Sequence, residues 1–505
     1  MLEIEVFANR TKLIGKYPKE EIDLLTSAYV TGYQFTSVYK LGSWDGKFHG
    51  LRRDTIYTGM LPFVIELLDH KKVPYKITYK YYPNLPEEYV FPDNVAGKPL
   101  YTHQKEAIQT FLNTDVILPH RGIISAGTGS GKTWIGALIA HTMKLKTLFL
   151  VHGKNLSKQN YEVFKTIFKE DLSKIGFVMA DTWEIGQVTV ASVDTLYSRL
   201  KAKDDKVAKL LKGTQLLVVD EVHRAKSTSF ETVMRETNAP FRLGLSGTPL
   251  VKDAAKDLLL QGLIGPVIYS KDIASLQKEK LVSDAVLNSV VIDFPKSVDL
   301  EYTDAMNYLV YNNVYRNNII VKIVEQKIKE KKTGLVICGN SVALTKNIFH
   351  LLSKNHSEDQ VRLCYGETKL SYSEESLELL KNRKLNFIIN SKTLNEGIDI
   401  PAIDCLIVAS SGRGYVQTIQ RIGRGLRLSH KDKVLEVYDL YDETNPYLVK
   451  HSKKRMEYYK EAGFFSDISN IQCSSIAPYP DTDINKDFYG GNITTEEEQD
   501  DIYDF

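Results

Sequence analysis

The sequence predicts an α/β protein in which two successive parallel-sheet domains follow a small α+β domain. Three observations carry that prediction. Near-continuous apolar runs alternate with helical stretches across residues 95–275 and again across 285–446, as in parallel sheets covered on both faces. Shorter elements fill residues 1–88. A proline-rich segment separates this first block from the rest. The 505 residues suffice for three or four domains at roughly 100–200 residues each.

Taken in order, "LEIEVF" alternates as a strand does, and "PKEEIDLLTSAYV" reads as a helix with Pro near its first turn. "YQFTSVYKLGSWDGKFHG" reads as two extended runs about an Asp-Gly turn, a hairpin signal. "MLPFVIELLDHKK" is a helix and "YKITYKYY" a strand, completing a β-α-β-β-α-β unit. "YYPNLPEEYVFPDNVAGKPL", with four prolines, reads as a linker. The strands of the first parallel domain are "TLFLV", "VTVAS", "LLVVD" and "RLGLS". Those of the second are "GLVICG", "VRLCYG", "NFIINS", "CLIVAS" and "LEVYDL". Residues 447–505 hold a basic helix, "KKRMEYYKEAGF", and a tail with nine acids and one lysine from Asp481 onward. Such a tail is expected to be exposed; it is a candidate DNA mimic, a docking point for a protein partner, or a solubilising terminus.

Composition narrows the class. With 43% hydrophobic and 25% charged residues and net charge +2, the chain is not a histone-like binder, though local basic surfaces are allowed. The four cysteines form no CxxC pair, so neither a zinc site nor a disulfide framework is implied. The N-terminus lacks a signal-peptide pattern, and no run of 18 apolar residues appears. The expectation is a cytoplasmic protein with no membrane partner.

"AGTGSGKT" lies between a strand and a helix, where a glycine-rich loop holds nucleotide phosphates. Gly127, Gly129 and Gly131 let backbone amides approach the phosphates, with Thr128 and Ser130 between them. Lys132 is placed for the β and γ phosphates and Thr133 for magnesium, so ATP and Mg2+ are the expected cofactors. "LLVVDEVHRA" supplies the acids: Asp220, at a strand end, to hold magnesium and Glu221 to polarise the attacking water.

Asp-Glu-Val-His, closing on His223, resembles the DExH box of superfamily 2 helicases and translocases, and the resemblance spans roughly residues 98 to 445. It implies tandem RecA-like motor domains. "YTHQKEAI" resembles the adenine-reading segment of that family, with Gln104 as the reader; His103 stands where the family often has an aromatic residue. Gln104 at an ordinary helix N-terminus is the other reading. "LGLSGTPL" resembles motif III, with Ser246 and Thr248 able to bridge Glu221 or His223 toward the nucleic-acid track. "LFLVHGKNLSKQ" and "VTVASVDTLYS" correspond by position to strand-contacting motifs. Lys154, Ser192 and Thr195 are their candidate phosphate contacts, or else caps of local structure.

In the second domain "SKTLNEGIDIP" resembles motif V: Thr393 and Gly397 would face nucleic-acid backbone and Asp399 the ribose, with Gly397 and Asp399 assigned to the nucleotide site. "QTIQRIGRGLR" resembles motif VI: Gln420 would orient water or γ-phosphate, and Arg424 and Arg427, nearly one helical turn apart, would stabilise the transferring phosphate. With the phosphate loop on one domain and the arginines on the other, nucleotide would close the pair and hydrolysis would release it, stepping a strand. One copy suffices for such a motor.

"YKLGSWDGKFHGLRR" followed by "TGMLPFVIELL" resembles the N-terminal module of phage UvsW-type helicases, which act on branched DNA. Residues 37–80 carry eight Lys or Arg against four acids, a basic surface suited to phosphates or an ordinary solvated face. Trp44, Lys47, Arg52 and Arg53 are its candidate DNA contacts; Trp44 either stacks on a base or staples the hairpin to its helix. The resemblance implies an ATP-dependent DNA helicase that migrates forks, Holliday junctions or displaced strands in recombination, replication or repair, working in the host cytoplasm if phage-encoded. "YLVYNNVYRNNIIVKIVEQ" resembles the helix entering the second motor domain, with Arg316 and Asn317 at matching positions and no role assigned. An RNA-directed DExH helicase and an ATP-gated branched-DNA clamp or sensor are the alternatives the residues leave open; a restriction-system motor subunit is a third, disfavoured because no attached nuclease carboxylate-lysine cluster appears.

Overall fold

The computed structural model describes residues 1–86, 88–95, 97–113, 117–127, 129–250, 253–295, 299–391, 403–412, 422–423, 425–426, 433–463, 465 and 467–478. They form two compact units, Met1–Asp272 and Ile273–Phe505. Among the described residues no helix is long and apolar enough to cross a membrane.

The first unit opens with a four-stranded sheet in the order Thr55–Tyr57, Arg10–Ile14, Leu2–Val6, Tyr75–Tyr79. Leu2, Ile4 and Val6 point inward, as the period of two requires, onto Leu61, Val64 and Leu68 of the helix Leu61–His70. The hairpin expected in residues 33–50 is not formed. Its first half is helical, Tyr33–Phe35 and Ser37–Lys40, with Thr36 capping the Tyr39 amide. Only Lys47–His49 is extended. It pairs antiparallel with Ser27–Tyr29, the end of the segment expected to be helical. That helix stops at Leu25, where the Thr26 hydroxyl turns back to the Ile22 carbonyl. An Arg10–Ile14 strand absent from the sequence reading supplies the centre of the sheet.

The proline-rich segment is more than a spacer. Tyr82, Leu85, Tyr89, Phe91, Val95 and Leu100 pack on the core of the next sheet, strapping the segment to it. That sheet has eight strands in the order Thr182–Glu184, Ile175–Met179, Val188–Ser192, Thr147–Val151, Leu216–Asp220, Phe241–Ser246, Arg121–Ala126, Val267–Lys271. All pairs are parallel except the outermost, Thr182–Glu184 with Ile175–Met179. The central strands are buried throughout, which is why they read as unbroken apolar runs.

The N-terminal module and this sheet share one core, in which Tyr57 and Met60 pack with Leu260, Leu263 and Ile264. Two fully buried arginines lock the seam. Arg121 donates to the carbonyls of Ile264 (2.5 Å), Leu263 (2.7 Å) and Ala8 (2.6 Å). Arg242 donates to the carbonyls of Leu263 (2.9 Å) and Thr237 (2.7 Å) and to the Asn9 side-chain oxygen. The Asn9 amide returns hydrogen bonds to the carbonyls of Arg235 (2.8 Å) and Thr237 (3.0 Å). Burial pushes the Arg121 guanidinium down to about 10.

The second unit is a seven-stranded, all-parallel sheet ordered Val361–Cys364, Phe387–Asn390, Gly334–Ile337, Cys405–Val408, Val434–Asp442, Asp284–Ile292, Asp467–Gln472. It runs past the boundary at 446 expected from sequence. The basic helix, Pro446–Ala462, is docked by buried Arg455, which grips Asp439 (2.8 Å), while the Tyr459 hydroxyl donates to the same carboxylate (2.6 Å). On the helix Val314–Lys329, Arg316 binds Asp442 twice, at 2.7 and 3.1 Å, and Ser411 donates to Asp442 at 2.5 Å. All four cysteines are buried.

Two outcomes follow from these charges. Removing one partner of a buried ion pair strands the other, so Arg316→Ala or Asp442→Ala should each lower stability by about 3–5 kcal/mol. Urea unfolding of the single and double variants reads this, with the double costing less than the sum. His49 lies between Asp23 (2.9 Å) and Asp45 (2.8 Å). Burial disfavours its charge, but the two carboxylates outweigh burial and its pKa is raised. The stabilisation is therefore full below the unfolded value of about 6.5 and is lost as pH rises through the higher folded value. The melting-temperature advantage of wild type over His49→Gln should shrink from about pH 5.5 to 8.5.

Candidate nucleotide site

Three neighbouring parallel strands end at one edge of the first unit. Arg121–Ala126 runs into the glycine loop, Leu216–Asp220 ends on the first acid, and Phe241–Ser246 ends on the Ser-Gly-Thr turn. Their register sets Asp220 beside Leu245 and Ser246 beside Ser125. Ligands of open α/β sheets bind at this carboxyl-terminal edge.

The loop has the backbone that a phosphate cradle needs. Gly129 and Gly131 have φ of 89° and 79°, which side chains rarely adopt. Gly131 precedes the helix Lys132–Met143, so the first-turn amides of that helix point into the loop. The buried Lys132 ammonium donates to the carbonyls of Ala126 (3.0 Å) and Gly127 (3.4 Å). The Ser130 hydroxyl is buried and has no hydrogen-bond partner among the described residues. An orphaned hydroxyl, an ammonium resting on carbonyls and open amides fit a magnesium nucleotide, with Thr133 on the same first turn. Thr128 lies outside the described residues.

Gln104 supports this loop. Its amide donates to the Ser130 carbonyl (3.1 Å), and its oxygen accepts from the Tyr101 N–H (3.1 Å). A second N–H and a second lone pair remain on such an amide. His103 also bonds the Ser130 carbonyl (2.8 Å), and Tyr101 stacks on His103 at 5.8 Å. Gln104 therefore caps its helix, the ordinary helix N-terminus of its two readings, and the same amide touches the loop.

Asp220 is buried. It accepts from the Glu221 N–H (3.0 Å) and from the Asn160 amide (3.0 Å). Burial, then the Glu221 carboxylate, pushes its carboxyl up to about 6 against the pull of Lys132 and Asn160. Glu221 has φ of 48°, an uncommon left-handed conformation for a non-glycine residue. It brings the carboxylate to His223 Nδ1 (3.3 Å). The same ring nitrogen lies 3.0 Å from the Ser246 hydroxyl, which accepts from the Thr248 N–H (3.1 Å). A continuous polar path runs from the acid pair to the turn expected to couple it.

Asn160 was absent from the sequence reading. Its signal was present: Ser157 and Asn160 are polar residues at helical spacing on the buried face that carries Phe164. Other candidates are placed less directly. Ser192 ends a buried strand, and Thr195 accepts from the Ala180 N–H (3.0 Å), so its hydroxyl serves a local turn. The side chain of Lys154 lies outside the described residues, as do Thr393, Gly397, Asp399, Gln420, Arg424 and Arg427. Trp44 is half-buried and donates to the Lys47 carbonyl (2.8 Å) three residues on, so its indole N–H serves a local turn, and the hairpin it was expected to staple is not formed. Arg52 and Arg53 are adjacent and exposed.

Residues 97–251 match the family described as type III restriction enzyme, res subunit, and residues 316–429 match the helicase conserved C-terminal domain. The chain belongs to superfamily 2 of the helicases. Putative helicase 22 of Sulfolobus islandicus filamentous virus is 26% identical over 383 residues, covering 70% of this chain and 66% of that protein. The ATP-dependent DNA helicase uvsW of Enterobacteria phage T4 is 22% identical over 477 residues, covering 86% of this chain and 91% of that protein. The structure of S. cerevisiae Dbp5 bound to RNA and ADP BeF3 shares the fold, with a TM-score of 0.54 at 14% identity over 75% of this chain and 91% of that one. The chain spans 66% and 51% of the first two curated relatives it matches. Helicase membership implies ATP use.

Lys132→Ala should lower nucleic-acid-stimulated ATP turnover by about 10²–10³ or more, the scale of losing one preorganised charge donor at a transferring group. Asn160→Ala removes one charge-assisted hydrogen bond and should cost about tenfold. Asn160→Asp sets a second carboxylate against Asp220 and should cost more. Steady-state phosphate release on the three variants orders them.

Proposed function

We propose that this helicase is an ATP-driven, magnesium-dependent DNA translocase that remodels branched DNA by moving forks, four-way junctions or displaced strands along duplex. The observation that carries the reading is the lock at Asn9. The basic N-terminal module is held to the sheet of the glycine loop by Arg121, Arg242 and a shared core. A module carried rigidly with the nucleotide site can hold one feature of a DNA branch while the motor advances on another.

In this reading Lys132 meets the β and γ phosphates, Thr133 and Asp220 hold magnesium, and Glu221 polarises water. His223, Ser246 and Thr248 relay the state of the γ-phosphate toward the bound strand, and Gln104 uses its remaining amide valences on adenine. Gln420, Arg424 and Arg427 act on the transferring phosphate, Gly397 and Asp399 serve the nucleotide, and Thr393 and Lys154 contact strand backbone. Lys47, Arg52 and Arg53 supply phosphate contacts on the module. Likeness to the phage DNA helicase over 86% of this chain, more than the two parallel sheets comprise, supports DNA as the substrate.

The test is ATP turnover with matched duplex, single strand, fork, four-way junction and structured RNA, using Lys132→Ala as the blank. Strongest stimulation by fork or junction, with branch movement in a native gel, is the expected outcome. Stimulation by RNA alone would overturn the DNA assignment. Turnover no higher than the blank on every nucleic acid would leave a nucleotide-gated clamp.

A further inference from the structure

The N-terminal module exposes large apolar side chains in one short stretch: Tyr29 is 53% exposed, Phe35 76%, Val38 48%, Tyr39 36% and Leu41 79%. They form an ordered group. The rings of Tyr29 and Tyr33 stack at 4.8 Å with 24° between planes, and Tyr39 meets Tyr33 edge-on at 4.7 Å. Lys47 Nζ lies 4.9 Å from the centre of the Tyr29 ring. Tyr33 rests on Gly46, where φ is 81° and no Cβ fits beneath the ring.

This knuckle is braced from below. Trp44 and Asp45 fix the Lys47 backbone from both sides, through its carbonyl (2.8 Å) and its N–H (3.0 Å). The Thr31 hydroxyl donates to Asp253 (3.0 Å), which also caps the helix Ala254–Leu263 through the Lys256 N–H (3.1 Å). Asp253 follows Thr248 by five residues, so the knuckle is anchored close in sequence to the turn at the end of the polar path.

We infer that Phe35 and Tyr39 form a stacking site for an unpaired DNA base at a branch, with Tyr29 and Tyr33 as the stacked base of the site and Lys40 and Lys47 meeting the flanking phosphates. This rests on the nucleic-acid reading above and names the surface that would distinguish a branch from duplex. Charge selects this occupant over an apolar protein face. The only acid between Tyr29 and Lys47 is Asp45, already engaged by the Lys47 N–H and by His49. Exposed rings interleaved with lysines suit a base and its phosphates, and every base offers a π face. Trp44 acts as scaffold, which moves the stacking role assigned to it onto its neighbours.

The full-length protein is titrated onto a forked DNA carrying 2-aminopurine in the unpaired arm beside the junction. Quenching on binding is expected. Phe35→Ala with Tyr39→Ala should weaken fork binding about tenfold or more and abolish the quench. Tyr39→Phe, which keeps the ring, should retain both, and Leu24→Ala, exposed elsewhere on the module, should leave fork binding unchanged. Equal fork affinity and quench in the double variant would overturn the stacking site, as would an equal loss on blunt duplex or a loss confined to self-association. Wild type that binds no fork and gains no turnover from nucleic acid would instead overturn the function proposed above.

Discussion

The parallel register of three strands sets the first unit's share of the candidate nucleotide site. Asp220 beside Leu245, and Ser246 beside Ser125, bring the acid pair, the Ser-Gly-Thr turn and the glycine loop to one edge without any of them being near another in sequence. Because these strands are apolar on both faces, alternation alone does not fix their register. Packing does. At Gly136 the helix that begins with Lys132 approaches so closely that a Cβ would lie 2.8 Å from Leu245 and 3.1 Å from Phe149. That absent methyl lets the helix settle on the sheet and sets the height of Lys132 over the loop.

Much of this was legible in the sequence because the signals are local. Each expected strand of the two large sheets is present, since a strand buried on both faces must be an apolar run. Lys132, Asp220, Glu221, His223 and Ser246 converge because their spacing to strand ends was readable. What escaped is non-local. Asn9 is one polar residue in a short loop, and its partners lie 226 to 233 positions away. Asn160 looks like one more surface amide until the buried side of its helix is identified. The knuckle misled because Asp-Gly signals a hairpin, while the capping bond from the Tyr39 N–H to Thr36 favoured helical turns in the preceding run. The aromatic strap at 82–100 was masked by its prolines, which dictate an irregular backbone but say nothing about whether it packs.

The second sheet pairs its buried arginines with carboxylates, where the first gives Arg121 and Arg242 backbone carbonyls and the Asn9 side chain. Asp439 and Asp442, three apart on one strand, face opposite sides and are gripped by Arg455 on one helix and Arg316 on another. Ser411 joins the Asp442 pair at 2.5 Å, and Arg455 reaches the Gly412 carbonyl at 3.4 Å. The backbone leading into the motif VI segment is therefore held from both faces before that segment begins. Ion pairs are directional in a way that packed leucines are not, so they fix the angle of each helix as well as its depth.

Arg121 and Arg242 have a further property. Each stands at the start of a strand whose other end belongs to the nucleotide site: one strand finishes in the glycine loop and the other on Ser246. The strands are neighbours and pair along their length. At about 3.3 Å per residue, each is a rod roughly 17 Å long with no hinge in it. The grip on the N-terminal module and the edge that carries the glycine loop are two ends of the same pair of rods. A small tilt at one end would be an equal tilt at the other, so the module and the glycine loop are joined by a stiff pair of strands rather than by a tether.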